Sequence, residues 1–183
     1  MGKSKTWTCF GTASTSSGTC RERPARDYLR ADGLEVFDIQ TGLSFHQLRV
    51  SAGSESCIVD LVADPPEVLE SPQEHEVGAV TIRVDTPHEI LVNKLCALLG
   101  RAELRDLIDL RELLARGGEL ERALRDAPRK DEGFSPLTLA WVLKDTNPAP
   151  LARALGWSEA QIQGLSDFHS RLIDELVASG APE

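Results

Sequence analysis

The spacing of hydrophobic and polar residues in the first half of the chain predicts β-structure. Residues 34–37 indicate a strand, and two stronger strand candidates follow at 45–50 and 57–62. The small, turn-forming residues 51–54 between them predict an antiparallel hairpin. Residues 80–84 alternate between apolar and polar side chains, which is typical of one more half-buried strand.

From Thr86 onward the pattern becomes helical. Thr86 can cap a helix that begins at Pro87, and Glu89 is in the position of a capping-box residue. This helix runs to about residue 99, and a second helix covers roughly 103–115. Leucines at helical spacings give the second helix an apolar face, so we expect the two helices to pack in a core.

The rest of the chain completes a mixed architecture. A short helix is predicted over 25–31, a connecting loop over 64–78, helices over 119–126, 135–143 and 158–178, and a linker over 145–150. The Ser/Thr/Gly-rich residues 1–23 show no apolar period, which favours disorder. The sequence therefore predicts an α+β protein with three regions: a disordered or altered segment (1–23), an α/β region (24–118) and a helical C-terminal region (119–183).

Composition narrows the classes of partner. The 183 residues carry a formal net charge of -9, so the overall field repels nucleic acid, and an RNA partner would need a local basic patch. We expect neither DNA nor a membrane as a partner, since no apolar run reaches the roughly 20 residues of a spanning helix. The four cysteines are widely scattered, which indicates reduced thiols in a cytoplasmic protein.

Charged residues of the two central helices are the candidates for chemistry. Lys94 sits among apolar neighbours, and Arg101 projects from the same side of the helix seven residues later. On the second helix Asp106 and Asp109 share a face, and Arg105 can reach Asp109 at i+4. One interpretation is a salt-bridged helical hairpin with a solvated face. The other is a phosphate-handling site with Lys94 as the point charge and carboxylates that hold or orient a metal ion.

The segment 86–110 resembles the signature of the AbiEii/AbiGii toxin-like nucleotidyltransferases. The matching elements are a helix with Lys94, Ala97-Leu98 and Arg101, then Arg105-Asp106, two residues, and Asp109-Leu110. The resemblance implies transfer of a nucleotide from an NTP to an RNA (tRNA) or protein acceptor, with Mg²⁺ as cofactor and a cognate antitoxin protein as partner. It also implies nucleotide binding by Lys94, Arg101 and Arg105, and catalytic roles for Lys94, Asp106 and Asp109.

The resemblance extends upstream and implies a nucleotidyltransferase-like mixed sheet with flanking helices. Residues 45–50 and 58–61 look like the family's pair of strands that ends in a carboxylate, which makes Asp60 a catalytic residue and a metal ligand. The alternative is that Asp60 simply ends a strand where a loop begins. Family members also carry a Gly-Ser or Gly-Gly turn and a strand with an Asp-x-Asp pair, which this sequence lacks. Either the N-terminal segment is truncated or altered, or the chain is a degenerate, non-catalytic relative that binds nucleotide or a partner protein.

The remaining histidines and tryptophans suggest packing rather than chemistry. His46 and His88 are isolated, and His169 on the last predicted helix is expected to be a packing or surface residue. Trp141 and Trp157 stand at helical positions and are interpreted as core anchors.

Overall fold

The computed structural model describes residues 5–11, 22–42, 45–63, 67–78 and 80–181. The chain divides into two compact units, Met1–Pro65 and Pro66–Glu183. In its described residues the first unit is a sheet with one helix, and the second combines a small two-stranded sheet with a group of helices. The predicted α+β class is therefore confirmed. No helix among these residues is long and apolar enough to cross a membrane.

The first unit contains a four-stranded mixed sheet. Its elements are β1 (Lys5–Gly11), α1 (Glu22–Ala31), β2 (Glu35–Thr41), β3 (Phe45–Ala52) and β4 (Glu55–Ala63). The strand order is β1-β4-β3-β2, with β1 parallel to β4 and the other neighbours antiparallel. The predicted hairpin is confirmed as β3 and β4. Gly53 in the turn between them has φ +59°, a left-handed conformation that glycine adopts without strain.

The predicted disorder of residues 1–23 is wrong for part of that segment. Residues 5–11 form β1, whose backbone pairs with β4 along its whole length, from Lys5 opposite Cys57 to Gly11 opposite Ala63. A parallel ladder depends on a partner far along the chain, so the local composition carries no sign of it. Residues 1–4 and 12–21 of the same segment lie outside the described residues.

One face of this sheet forms a small core. His46, Leu48 and Val50 alternate along β3 as buried residues, while Gln47 and Arg49 point to the other face. Leu29 of α1 is among the partly buried residues that pack against this core. The period of two in β3 thus separates the packed face of the sheet from the face on which polar side chains stand.

The second unit is mainly helical. Its elements are β5 (Gln73–Val77), β6 (Val80–Val84), α2 (Pro87–Arg101), α3 (Leu104–Ala115), α4 (Leu120–Asp126), α5 (Pro136–Lys144), α6 (Pro148–Ala154) and α7 (Glu159–Ser179), with a 3₁₀ turn at Ala127–Arg129. Two predictions need correction. The loop predicted over 64–78 contains β5, which is ordered by antiparallel pairing with β6. The linker predicted over 145–150 includes the start of α6, which Asn147 caps.

The helices α2 and α3 share one hydrophobic core with the helices that follow them. Leu95, Leu110, Leu139 and Leu165 come from four different helices and are all fully buried in this core. Because the apolar faces of α2 and α3 are buried against α4–α7, the predicted regions 24–118 and 119–183 do not coincide with the two compact units.

The outer surface of the second unit differs from expectation at one tryptophan. Trp141 on α5 is 74% exposed, so its interpretation as a core anchor is wrong, whereas Trp157 packs against the core as expected. Helical spacing identifies which residues share a face, but the neighbours that cover that face depend on tertiary packing. His169 is buried, and its Nε2 lies 3.2 Å from Oγ1 of Thr146, so of the two expected alternatives it is a packing residue and not a surface residue.

Candidate functional site

A tight reversal between α2 and α3 brings the candidate residues of the second unit together. Thr86 caps α2 as predicted, its Oγ1 accepting a hydrogen bond from the backbone N–H of Glu89 at 3.1 Å. At the other end, Ala102 adopts a left-handed conformation with φ 46° and its N–H donates to the carbonyl of Leu98. Glu103 then precedes the first turn of α3. Only two residues separate the helices, so the first turn of α3 lies beside the last turns of α2.

Asp106 is the centre of the arrangement. Its side chain is 0% exposed, and it accepts three hydrogen bonds from two cations. Lys94 Nζ donates to Oδ1 at 2.9 Å, Arg101 Nε donates to Oδ2 at 2.8 Å, and Arg101 Nη2 donates to Oδ1 at 3.2 Å. A buried carboxylate is tolerated when cations and hydrogen bonds compensate it, and all three bonds here come from charged donors.

Lys94 joins Asp106 to a second carboxylate. Its Nζ lies 2.6 Å from Oδ2 of Asp109, and its side chain is 23% exposed, against 48% for Asp109. Arg101 is about half exposed. We call Lys94, Arg101, Asp106 and Asp109 the Asp106 cluster. Both cations are thus anchored on a buried carboxylate and still reach solvent.

Arg105 lies outside this cluster. Its Nε pairs with Oε2 of Glu103 at 2.8 Å, so the predicted Arg105–Asp109 ion pair is wrong. Asp109 is paired with Lys94 of the neighbouring helix instead. The i,i+4 spacing allowed an Arg105–Asp109 contact. Asp109 instead pairs with Lys94, whose ammonium group is already held in place by the buried Asp106.

Asp106 and its two cations shift one another's pKa values in the direction that keeps all three ionised. Burial by itself raises the pKa of Asp106, but hydrogen bonds from Arg101 and Lys94 outweigh it, so the pKa lies below its usual value. Burial likewise lowers the pKa of Lys94, and hydrogen bonds to Asp109 and Asp106 overcome this and raise it. Lys94, Arg101 and Asp106 therefore hold one another in their charged forms.

Asp60 belongs to the first unit, whereas the Asp106 cluster belongs to the second. Asp60 is half buried within β4, which continues to Ala63, so Asp60 does not stand at the strand end where both interpretations of the sequence placed it. Its Oδ1 accepts a hydrogen bond from Nε2 of Gln47 on β3 at 2.8 Å. On its other side, β1 places Thr8 opposite Asp60 in the parallel register.

The described residues do not fit a magnesium site of the kind that the resemblance implies. Two of three expected acids should stand one residue apart on a strand, but residues 5–11 of β1 contain neither Asp nor Glu. In the part of the chain that the structure describes, no three His, Cys, Asp or Glu side chains are grouped as metal ligands. Both carboxylates of the Asp106 cluster bind Lys94, and no third metal-ligating side chain is grouped with them among the described residues. Of the three acids that the resemblance implies as metal ligands, only Asp60 is found among the described residues.

Sequence reasoning missed a second buried ion pair near the start of α2. Glu89 is 2% exposed and is bound by Lys130, and its carboxylate accepts hydrogen bonds from the backbone N–H groups of Leu69 and Glu70. These contacts replace the capping-box role predicted for Glu89, whose carboxylate binds a preceding segment of the chain instead. No local spacing indicates a partner 41 residues away.

Two histidines also have carboxylate partners that their isolation in the sequence concealed. Nε2 of His46 lies 2.7 Å from Asp38, which also pairs with Arg26, and Nε2 of His88 lies 2.8 Å from Asp126. His46 and Asp38 stand on the neighbouring strands β3 and β2. The alternation along β3 placed His46 on the same face as the buried Leu48 and Val50, but it did not identify Asp38 as the partner.

A family model described as "Nucleotidyl transferase AbiEii toxin, Type IV TA system" matches residues 10–177. The match covers most of the chain, including β4 with Asp60 and the whole of the Asp106 cluster. No curated protein matches the chain.

Proposed function

The chain belongs to the AbiEii nucleotidyltransferase toxin family of type IV toxin–antitoxin systems, and on this premise we propose that it transfers a nucleotide from an NTP to an RNA or protein acceptor. In this proposal Lys94 and Arg101 bind the triphosphate. Asp106 is a positioning residue for both cations. A cognate antitoxin is the expected protein partner, as the family's toxin–antitoxin type suggests.

The observation that carries the proposal is that a fully buried carboxylate holds two cations that reach solvent. Asp106 bonds Lys94 and Arg101 from the protein side, so neither cation needs to be ordered when a ligand arrives. Lysine supplies a compact charge to phosphate oxygens, and arginine supplies further N–H donors in a planar fork. Preorganised donors of this kind stabilise developing phosphate charge without a reorganisation cost.

The pattern is unusual for a helical hairpin held together only by surface ion pairs. Surface pairs contribute little to stability and leave both partners in solvent. Asp106 is instead withdrawn completely from solvent. The desolvation cost of burying a charge largely cancels the stability that an ion pair contributes, so stability alone gives little reason to bury Asp106. That cost is understandable if the arrangement serves to fix the positions of Lys94 and Arg101.

The direct test is NTP affinity of Lys94→Ala, measured by isothermal titration calorimetry. We expect binding to weaken about tenfold or more, because a charge-assisted hydrogen bond is lost. Lys144→Ala is the matched control, since Lys144 is an exposed lysine on α5 outside the cluster. Circular dichroism checks that both variants remain folded. An unchanged NTP affinity in Lys94→Ala would contradict the proposal.

A second candidate function is nucleotide or partner binding without transfer. It is favoured by the composition of β1, which borders the strand of Asp60 and carries no carboxylate. Transfer of a radiolabelled nucleotide to bulk tRNA in the presence of Mg²⁺ separates the two candidates. Transfer that is lost in Asp60→Asn supports the enzyme. NTP binding without any transfer supports the second candidate.

A further inference from the structure

We infer that Asp109 is a displaceable counter-ion of Lys94. The Asp109 carboxylate pairs with the Lys94 ammonium group until the phosphates of a nucleotide replace it. This inference rests on the proposed function and deepens it. In this inference Asp106 holds the two cations permanently, whereas Asp109 competes with the ligand for Lys94.

The two carboxylates bind the same ammonium group but differ in their access to water. Asp106 is 0% exposed and receives three hydrogen bonds from two cations, whereas Asp109 is 48% exposed. Lys94 is the one ion-pair partner of Asp109 that is found among the described residues. When Asp109 leaves Lys94, its carboxylate is hydrated on the surface of α3, which costs little for a half-exposed side chain.

Asp106 cannot leave in the same way. A carboxylate that is withdrawn from solvent and loses its cations remains uncompensated in the protein interior, which is strongly unfavourable. Burial therefore decides which of the two acids an incoming phosphate replaces. Lys94 keeps its bond to Asp106 and exchanges the bond to Asp109 for one to the ligand.

The balance of charges in the Asp106 cluster also indicates that Asp109 competes with phosphate for Lys94. With Asp109 in place, the two cations of the Asp106 cluster face its two carboxylates, and Glu103 also lies 3.8 Å from Arg101, so the net attraction for a polyanion is small. With Asp109 turned away from Lys94, or replaced by asparagine, one negative charge is removed from beside the exposed ends of Lys94 and Arg101. Asp109 therefore lowers the affinity of the resting site for phosphates, and its removal raises it.

The test compares Asp109→Asn with Glu112→Gln. Glu112 lies on the same helix, is about as exposed as Asp109, and pairs with Arg111 instead of Lys94. Both substitutions remove one negative charge from the chain, so a nonspecific effect of net charge is equal in the two. Inorganic triphosphate is the probe, because it reports phosphate binding whichever base the site prefers, and calorimetry of the full chain gives the dissociation constant.

We expect Asp109→Asn to bind triphosphate about fivefold more tightly than the wild type, the size of a half-exposed charge interaction, and Glu112→Gln to stay close to the wild type. Asp109→Glu should restore the wild-type affinity. In the double variant with Lys94→Ala the gain should vanish, because the competition occurs at Lys94. A purely structural role of Asp109 would not produce a gain that depends on Lys94.

The outcomes that overturn the inference differ from those that overturn the proposed function. Unchanged or weaker binding by Asp109→Asn overturns the inference, and so does an equal gain in Glu112→Gln or a gain that persists without Lys94. In each of these cases a loss of binding in Lys94→Ala leaves the proposed function standing. If Lys94→Ala binds as well as the wild type, or if no variant binds, the proposed function fails and the inference fails with it.

Discussion

The substitution Asp106→Asn perturbs the most completely buried charge of the candidate site. Asparagine has nearly the same shape as aspartate but is uncharged and carries an amide N–H₂ in place of one oxygen. At position 106 that amide would direct donors towards Lys94 and Arg101, which have only donors to offer in return. The substitution therefore keeps one acceptor oxygen, removes the negative charge, and at the other oxygen replaces an accepted bond with a contact between two donors.

The size of the effect follows from burial. Breaking a fully buried ion pair by removing one partner costs about 3–5 kcal/mol, because the remaining charge is left without compensation. Here the remaining charges are on Lys94, which is 23% exposed, and on the half-exposed Arg101, so both recover part of their hydration. We therefore expect a loss of about 2–3 kcal/mol in the free energy of unfolding.

Urea unfolding followed by circular dichroism measures this loss in the helical second unit. Asp109→Asn is the control, and we expect it to cost less than about 1 kcal/mol because its carboxylate is half exposed. The pKa of Asp106 lies below its usual value, so its stabilising contribution is present above about pH 4 and is lost as the pH falls through the lowered pKa. The difference between wild type and Asp106→Asn should accordingly shrink in acid. Equal stabilities of the two Asn variants at neutral pH would refute the reasoning.

Three further predictions concern the helical second unit that contains the Asp106 cluster. Burial lowers the pKa of His169, so its contribution to stability is present above about pH 6.5 and is lost as the pH falls below that value; a pH series of thermal unfolding should show this loss in the wild type and not in His169→Gln. Gly118→Ala should destabilise the protein by about 1–3 kcal/mol, because the new Cβ would lie 2.9 Å from the carbonyl oxygen of Leu113. Gly100→Ala on α2 has open space around the new Cβ and should stabilise the protein by about 0.5–1 kcal/mol. The urea midpoints of the Gly118→Ala and Gly100→Ala variants should therefore shift in opposite directions.

Helix boundaries near the candidate site could be predicted because they depend on neighbours in the sequence. Thr86 caps α2 as its hydroxyl and the following proline indicated. The end of α3 was also predicted correctly: Gly117 has φ +96°, and the N–H of Gly118 donates to the carbonyl of Leu113. Such signals act within a few residues, so they are legible in one sequence.

Contacts between elements could not be predicted in the same way. The i,i+4 rule pointed to Arg105 and Asp109, but the structure pairs Asp109 with Lys94 from another helix. The partner of Glu89 is Lys130, which lies far outside the predicted capping box. In each case the closest partner depends on how two elements pack, and the spacing within one element carries no record of that.

The sequence by itself determined the family, the α+β class and the charged residues of the helical pair. The spaced motif in 86–110 indicates the family and the charged residues, and the local hydrophobic periodicity indicates the fold class. Only the tertiary structure decided that Asp106 is the buried anchor and Asp109 the exposed one, although both are aspartates three residues apart on the same helix. The physical reason is that burial is a property of the surroundings. The packing of α3 against α2 withdraws Asp106 from water and leaves Asp109 at the edge of the contact, and this difference in hydration gives two identical side chains different roles.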